Sequence, residues 1–282
     1  MTRLLISRSI LATATLSAMS LFGGPIYNNL TPNNLMATAS RPDAPGEFEI
    51  ETGDDFVLSS QTSITSASLI GLFVPGTGGA PSISQVVVEI YRAFPEDSDT
   101  TRTPNVPTRA NSPSDVAFAE RSGSSQLSFT SSVLSNSLTA LNSVQAGGIH
   151  PLPGQHTGGN GQVTGQEVQI DINFVIPFDL GADHYFFVPQ VTLTDGAQFY
   201  WLSASRPISG IGTTPFAPDL QAWTRDDGLD PDWLRVGTDI VGGGTPPTFN
   251  MAFSLDGTTT PEPAAAALVG AGLLWIILRR RA

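Results

Sequence analysis

Residues 166–176 read QEVQIDINFVI. Val168, Ile170, Ile172, Phe174 and Ile176 alternate with Glu167, Gln169, Asp171 and Asn173. This period of two places apolar side chains on one face of an extended chain and polar ones on the other. Such a strand needs a sheet beside it and a second layer over its apolar face. Residues 249–255, FNMAFSL, repeat the pattern with Phe249, Met251, Phe253 and Leu255 inward. Residues 85–94, QVVVEIYRAF, are β-branched and aromatic and suit a central strand.

Weaker strand signals follow at 48–51, 55–59, 68–74, 115–120, 125–133, 185–193 and 198–204. Pro189 would confine the 185–193 strand to an edge or a bulge, since proline cannot donate to a ladder. Residues 133–145 have a roughly helical spacing through Val133, Leu134, Leu138, Leu141 and Val144, although their Ser and Asn content makes a weak helix. Some ten short strands separated by Gly, Pro and Asn turns predict an all-β fold, a single β-sandwich of jelly-roll type. Long irregular segments at 95–114, 146–165 and 205–218 interrupt it, and loops of that length usually carry function or disorder.

The chain of 282 residues has a formal net charge of -12. All 13 of its basic residues are arginine. Five of them, Arg3, Arg8, Arg279, Arg280 and Arg281, lie at the two ends, so the acidic excess falls on the middle. That surface would repel phosphates and excludes nucleic acid as a partner. With no cysteine there can be no disulfide, zinc–thiolate site or thiol nucleophile. With no lysine there can be no Schiff base, Lys–Asn crosslink or P-loop.

The ends carry their own signals. Two arginines precede the uncharged apolar stretch 10–22, the arrangement of a secretory leader. Ala37-Thr38-Ala39 matches the small-x-small cleavage pattern, and a cut nearer residues 18–24 is the alternative. Residues 1–39 are therefore expected as signal peptide, 40–257 as the β-domain and 258–282 as linker and tail. In the tail, residues 264–278 are uncharged and apolar. As a helix they would cover only ~22 Å at 1.5 Å per residue, short of a hydrocarbon core about 30 Å thick. Three arginines follow directly and hold the C-terminus in the cytoplasm, as Arg3 and Arg8 hold the N-terminus. The acidic middle would then cross the inner membrane as one exported loop.

Pro261-Glu262-Pro263, an apolar segment and the cluster Arg279-Arg280-Arg281, in that order at the extreme C-terminus, resemble the PEP-CTERM sorting signal. The body is also similar to those of other PEP-CTERM proteins, in DDFVLSSQTSITSASLIGLF and FNMAFSLDG. The resemblance implies that an exosortase recognises the tail and removes it, and that the product is released or retained at the surface of an exopolysaccharide-producing bacterium. It implies no activity for the body. A GPI signal would end apolar, and a sortase signal would need Leu-Pro-x-Thr-Gly, to which LPGQH at 152–156 does not correspond.

Candidate chemistry in the body is sparse. His150 and His156 share a loop, two ligands where a metal site needs more. Asp183-His184 reads as a pair in a turn at a strand edge, and no G-x-S-x-G accompanies it. Asp226, Asp227, Asp230 and Asp232 surround Gly228 and are hard oxygen donors of the kind calcium takes, without the spacing of an EF-hand. Tyr200 and Trp201 sit in the aromatic run Phe199-Tyr200-Trp201, where a strand would bury one set and present the other. Trp223 and Trp233 flank the Asp-rich loop. These four rings are the candidates for stacking on a glycan, against the ordinary alternative of filling the core. The expectation is an exported, non-enzymatic protein of the cell surface or extracellular matrix with an exosortase as partner, a transient membrane contact through 264–278, and no catalytic residue. A module or hydrolase acting on extracellular polysaccharide is the alternative.

Overall fold

A computed structural model describes residues 24–76, 80–150, 154–205, 209–210 and 221–260. In chain order its strands are β1 (Gly24–Asn28), β2 (Pro32–Ala39), β3 (Ile50–Leu58), β4 (Thr62–Val74), β5 (Ile83–Arg92), β6 (Ala119–Ser122), β7 (Leu127–Ala140) and β8 (Ser143–Val144). They continue with β9 (Val163–Leu180), β10 (Asp183–Leu193), β11 (Gln198–Ala204), β12 (Ser209–Gly210), β13 (Trp223–Asp226), β14 (Leu234–Arg235), β15 (Asn250–Met251) and β16 (Phe253–Thr259). A short 3₁₀ turn at Ala146–Gly148 and a π-helical turn at Val236–Val241 are the helical pieces among the described residues. The fold is all-β, as the alternating segments require.

The strands form two sheets. The six-stranded sheet has the order β14-β13-β3-β10-β5-β6. The ten-stranded sheet runs β12-β1-β16-β4-β11-β2-β8, with β15 joined to β11, and with β9 and then β7 added on β4. β4 organises this second sheet. One of its edges pairs with β9 along most of its length. The other is shared end to end by β16, opposite residues 62–69, and β11, opposite residues 71–74. Where the two meet, the Ala252 carbonyl accepts the Ile70 N–H at 3.1 Å and the Trp201 indole N–H at 2.9 Å. Gly71 faces this junction, where a Cβ would come within 2.6 Å of the Tyr200 carbonyl and collide with the Phe199 ring.

Inner faces of both sheets contribute to one hydrophobic core. Phe187 of β10 lies 6.0 Å from Trp201 of β11 and 5.2 Å from Phe253 of β16, ring centre to ring centre. Three aromatic rings from three strands bury a large apolar area in this way and fix the face of each strand.

Several sequence expectations need correction. Residues 133–145 are not helical: β7 runs through Ala140 as a strand paired to β9, and β8 follows. Serines and asparagine gave the helix little intrinsic support, and the long partner β9 decided the outcome. Pro189 is not at an edge, because β10 lies between β3 and β5. The β3 ladder ends at Phe187, and the Pro189 carbonyl takes the Ser40 hydroxyl at 2.6 Å on that side. The missing N–H thus points where no ladder continues. Ile176 is exposed rather than inward. It lies where β9 slips register against β4 between Phe178 and Asn173. Arg121 donates to the freed carbonyls of Ile176 and Pro177, both at 2.7 Å. Residues 249–255 are buried on both faces and split at Ala252 into β15 and β16. Finally, β1 and β2 occupy residues 24–39, and Met36, Ala37 and Ala39 are core residues. Among the described residues the β-structure therefore reaches back to Gly24, into the stretch 1–39 expected as signal peptide.

Candidate functional site

Charge is concentrated on the outer face of the six-stranded sheet. In β3, β5 and β10 alternate side chains enter the main core, among them Ile50, Phe56, Val88, Ile90, Tyr185 and Phe187. The intervening residues face the other way. Tyr91, Phe186, Val188, Trp223 and Trp233 form a second, smaller apolar cluster there. Strand pairing sets Arg225 opposite Glu51 and Val188 opposite Glu89. Four strands thus bring Glu51, Glu89, Tyr91, Gln190 and Arg225 to one place.

Arg225 is the centre. Its Nε and Nη2 donate to the two oxygens of Glu51, Nη2 at 3.1 Å from Oε1. Nη2 also donates to the Tyr91 hydroxyl at 2.9 Å, and that hydroxyl donates to Glu51 Oε1 at 2.5 Å. Nη1 reaches the Asp115 carbonyl at 3.3 Å, the Pro231 carbonyl at 3.2 Å and the Asp230 carboxylate at 2.7 Å. The guanidinium plane lies over the Trp233 ring, 4.4 Å from its centroid. Arginine's fixed fork suits a bidentate, stacked and buried role that lysine could not fill.

Carboxylates outnumber the cation. Gln190 Nε2 donates to Glu49 at 2.9 Å and to Glu89 at 3.5 Å. Burial pushes the Glu89 carboxyl up to about 9, with the neighbouring Glu51 charge adding to the effect. Glu49 is raised for the same two reasons, burial first. Burial drives the Tyr91 hydroxyl above its ordinary range. Burial also works against the Arg225 charge, but the Glu51 carboxylate outweighs it and holds the guanidinium more firmly protonated. The arrangement keeps a proton on Glu89 at neutral pH beside a carboxylate, and it leaves Arg225 no donor turned to solvent.

Two further groups seal this face. His184 Nε2 lies 2.9 Å from Asp55 Oδ2, both buried, and its ring stacks on Phe186 at 5.4 Å. The neighbouring Asp183 pairs with Arg92 at 2.9 Å instead. Across the top, the long segment after β5 is clamped to the turn at 226–232. Arg102 bridges Asp232 at 2.6 Å and Asp115 at 3.2 Å, Arg109 also pairs with Asp115, and Asn105 N donates to Asp232 at 2.5 Å.

The residues singled out from the sequence are placed as follows. Trp201, Trp223 and Trp233 are 0–1% exposed and Tyr200 is 6% exposed. Both faces of β11 are covered, so it does not present one aromatic set outward. A ring enclosed on both sides cannot stack on a sugar, so as placed here these four take the alternative of filling the core rather than the glycan-stacking role considered for them. Trp233 instead donates its indole N–H to the Ser114 carbonyl at 3.1 Å. The four aspartates do not converge. Asp226 caps its own turn through the Gly228 and Leu229 N–H groups at 3.0 and 3.1 Å, Asp230 pairs with Arg225, Asp232 with Arg102, and Asp227 is exposed. Among the described residues no three His, Asp or Glu side chains are grouped to hold a metal. His156 packs against Gly242. Pro261, Glu262, Pro263, Arg279, Arg280 and Arg281 lie outside the described residues, as does the 264–278 segment, and among the described residues no helix is long and apolar enough to span a membrane.

Sequence reading missed Glu49, Glu51, Glu89, Tyr91, Gln190 and Arg225. A usable signal was present: a single glutamate in the apolar run VVVEIYR and an arginine after Trp223 mark strands whose second face is neither solvent nor simple core. Compared with known proteins, the chain matches no family model, no curated protein and no solved structure.

Proposed function

We propose that the chain is an exported, non-enzymatic protein of the cell surface or extracellular matrix, whose body is a rigid β-sandwich. One observation carries this reading of the body: the ionisable groups gathered on the six-stranded sheet are bonded to one another and to covering loops, rather than turned toward an opening. Three openings beside the ten-stranded sheet, of 420, 350 and 240 Å³, have one titratable side chain, Asp171, among their described lining residues. The ring contacts between Phe187, Trp201 and Phe253 support two stacked sheets of jelly-roll kind. Export rests on the leader-like N-terminus, and processing by an exosortase on Pro261-Glu262-Pro263 with the arginine-terminated tail. Cleavage of the leader near residues 18–24, rather than after Ala39, preserves β1 and β2. Contact with the inner membrane through 264–278 is transient, and exopolysaccharide is the surrounding medium. Intact mass of the protein recovered from its host tests the processing: a mature form lacking residues 264–282 is expected, and one that retains them refutes it.

A further inference from the structure

The ten-stranded sheet ends at β7, which among the described residues pairs only with β9. Exposed edges are normally blunted by charge, proline or bulges. β7 has bulges at or beyond Leu134, where its register against β9 slips. Residues 127–133 before them are regular. They contain no proline, and from Ser122 to Gln166 the chain has no Asp, Glu, Lys or Arg. In a chain of net charge -12 this is an edge strand that itself sets no charge against its counterpart in a second copy, the nearest acid, Asp171, lying one strand back on β9.

The segment is also complementary to itself. Near its start, the half-buried Phe129 lines a 350 Å³ opening together with Val86 and the core residue Leu127. Near its end, Val133 is 53% exposed. Leu127, Phe129 and Val133 lie opposite Phe174, Ile172 and Val168 of β9, so all three share the inward-facing side of the strand. Thr130 is midway between Leu127 and Val133. We propose that β7 pairs antiparallel with β7 of a second copy over residues 127–133, about a two-fold axis through Thr130. Each copy then sets its Val133 opposite the other's Leu127 backbone and diagonally against its Phe129 ring, at the mouth of the opening. On the opposite side Thr130 meets Thr130, and Ser128 meets Ser132 of the partner copy, pairs that favour cross-strand contact. The contact is isologous and closes as a dimer. It does not depend on export or processing.

Single cysteines test the register, because the chain has none of its own. Ser128, Thr130 and Ser132 are exposed, so replacing them leaves the fold intact. In the full chain under copper-catalysed air oxidation, Thr130→Cys should give a disulfide-linked dimer. Ser128→Cys and Ser132→Cys should stay monomeric alone and crosslink when mixed. Adding Val133→Asp to Thr130→Cys should cut the crosslinked fraction about tenfold. Equal crosslinking at every position, as association through the C-terminal apolar run would give, overturns the pairing. So does the absence of crosslinks both in Thr130→Cys and in the mixture.

Discussion

The outer face of the six-stranded sheet and the free edge of the ten-stranded sheet handle charge in opposite ways. On the first, Glu51, Glu89, Arg225, Asp232 and Arg102 are drawn inward, paired and roofed by loops. On the second, residues 127–133 carry no charge and lie at the end of a ladder, exposed from Thr130 to Val133. A buried ion pair contributes little net stability over an apolar equivalent, but it penalises every arrangement that breaks it. An uncharged edge penalises nothing and leaves its backbone groups available. The first region therefore specifies one conformation of the chain, while the second is open to another chain.

If the charged face is a lock, removing one partner must cost more than any change at the edge. Glu51→Gln should lower the unfolding free energy by about 3–5 kcal/mol in a urea titration, because the Arg225 charge stays buried with a neutral amide. A loss no larger than that of an edge substitution would erase the distinction. Gly71→Val sharpens it from the side of packing: its side chain would meet the Tyr200 carbonyl and the Phe199 ring. The expected cost in the same titration is ~1–3 kcal/mol.

Glu89→Gln should act through pH. In the unfolded chain this carboxyl loses its proton near its ordinary value of 4.5, whereas in the folded protein it keeps it to about 9. Between those values the native state binds more protons, so stability falls as pH rises and the loss is complete above about 9. Glu49 and Asp226, both raised by burial, act in the same direction. The glutamine variant removes the Glu89 share, and its melting temperature should decline less than that of the parent between pH 5 and 9. Parallel profiles would mean that Glu89 is ionised in the fold. The smallest effect belongs to the edge: Val133→Asp should change the unfolding free energy by no more than about 0.5 kcal/mol, since its side chain is already half in solvent.

Much of the β-architecture was legible, because period-two alternation in 166–176 and the apolar run in 85–94 admit few other structures. The sites were less so. A tryptophan's period shows which face it takes, and both faces of β11 and β13 are covered, so exposure could not follow from alternation. Aspartates gather in turns for conformational reasons, and the arginines that engage Asp230 and Asp232 come from sequence positions as distant as Arg102. The Arg225 cluster joins residues 49 to 225 through four strands, and nothing local announces that Glu51 and Arg225 are register partners. Pro189 misled because its consequence depends on which side of the strand its nitrogen faces.

Glu51 and Arg225 act as one unit that holds the outer face of the sheet closed. The decisive experiment is a double-mutant cycle of Glu51→Leu and Arg225→Met, read as unfolding free energies at pH 7. Each single change should leave a buried charge without its main partner, and the pair together should cost less than the sum, with a coupling of about 2–3 kcal/mol. Additivity within about 0.5 kcal/mol would contradict it.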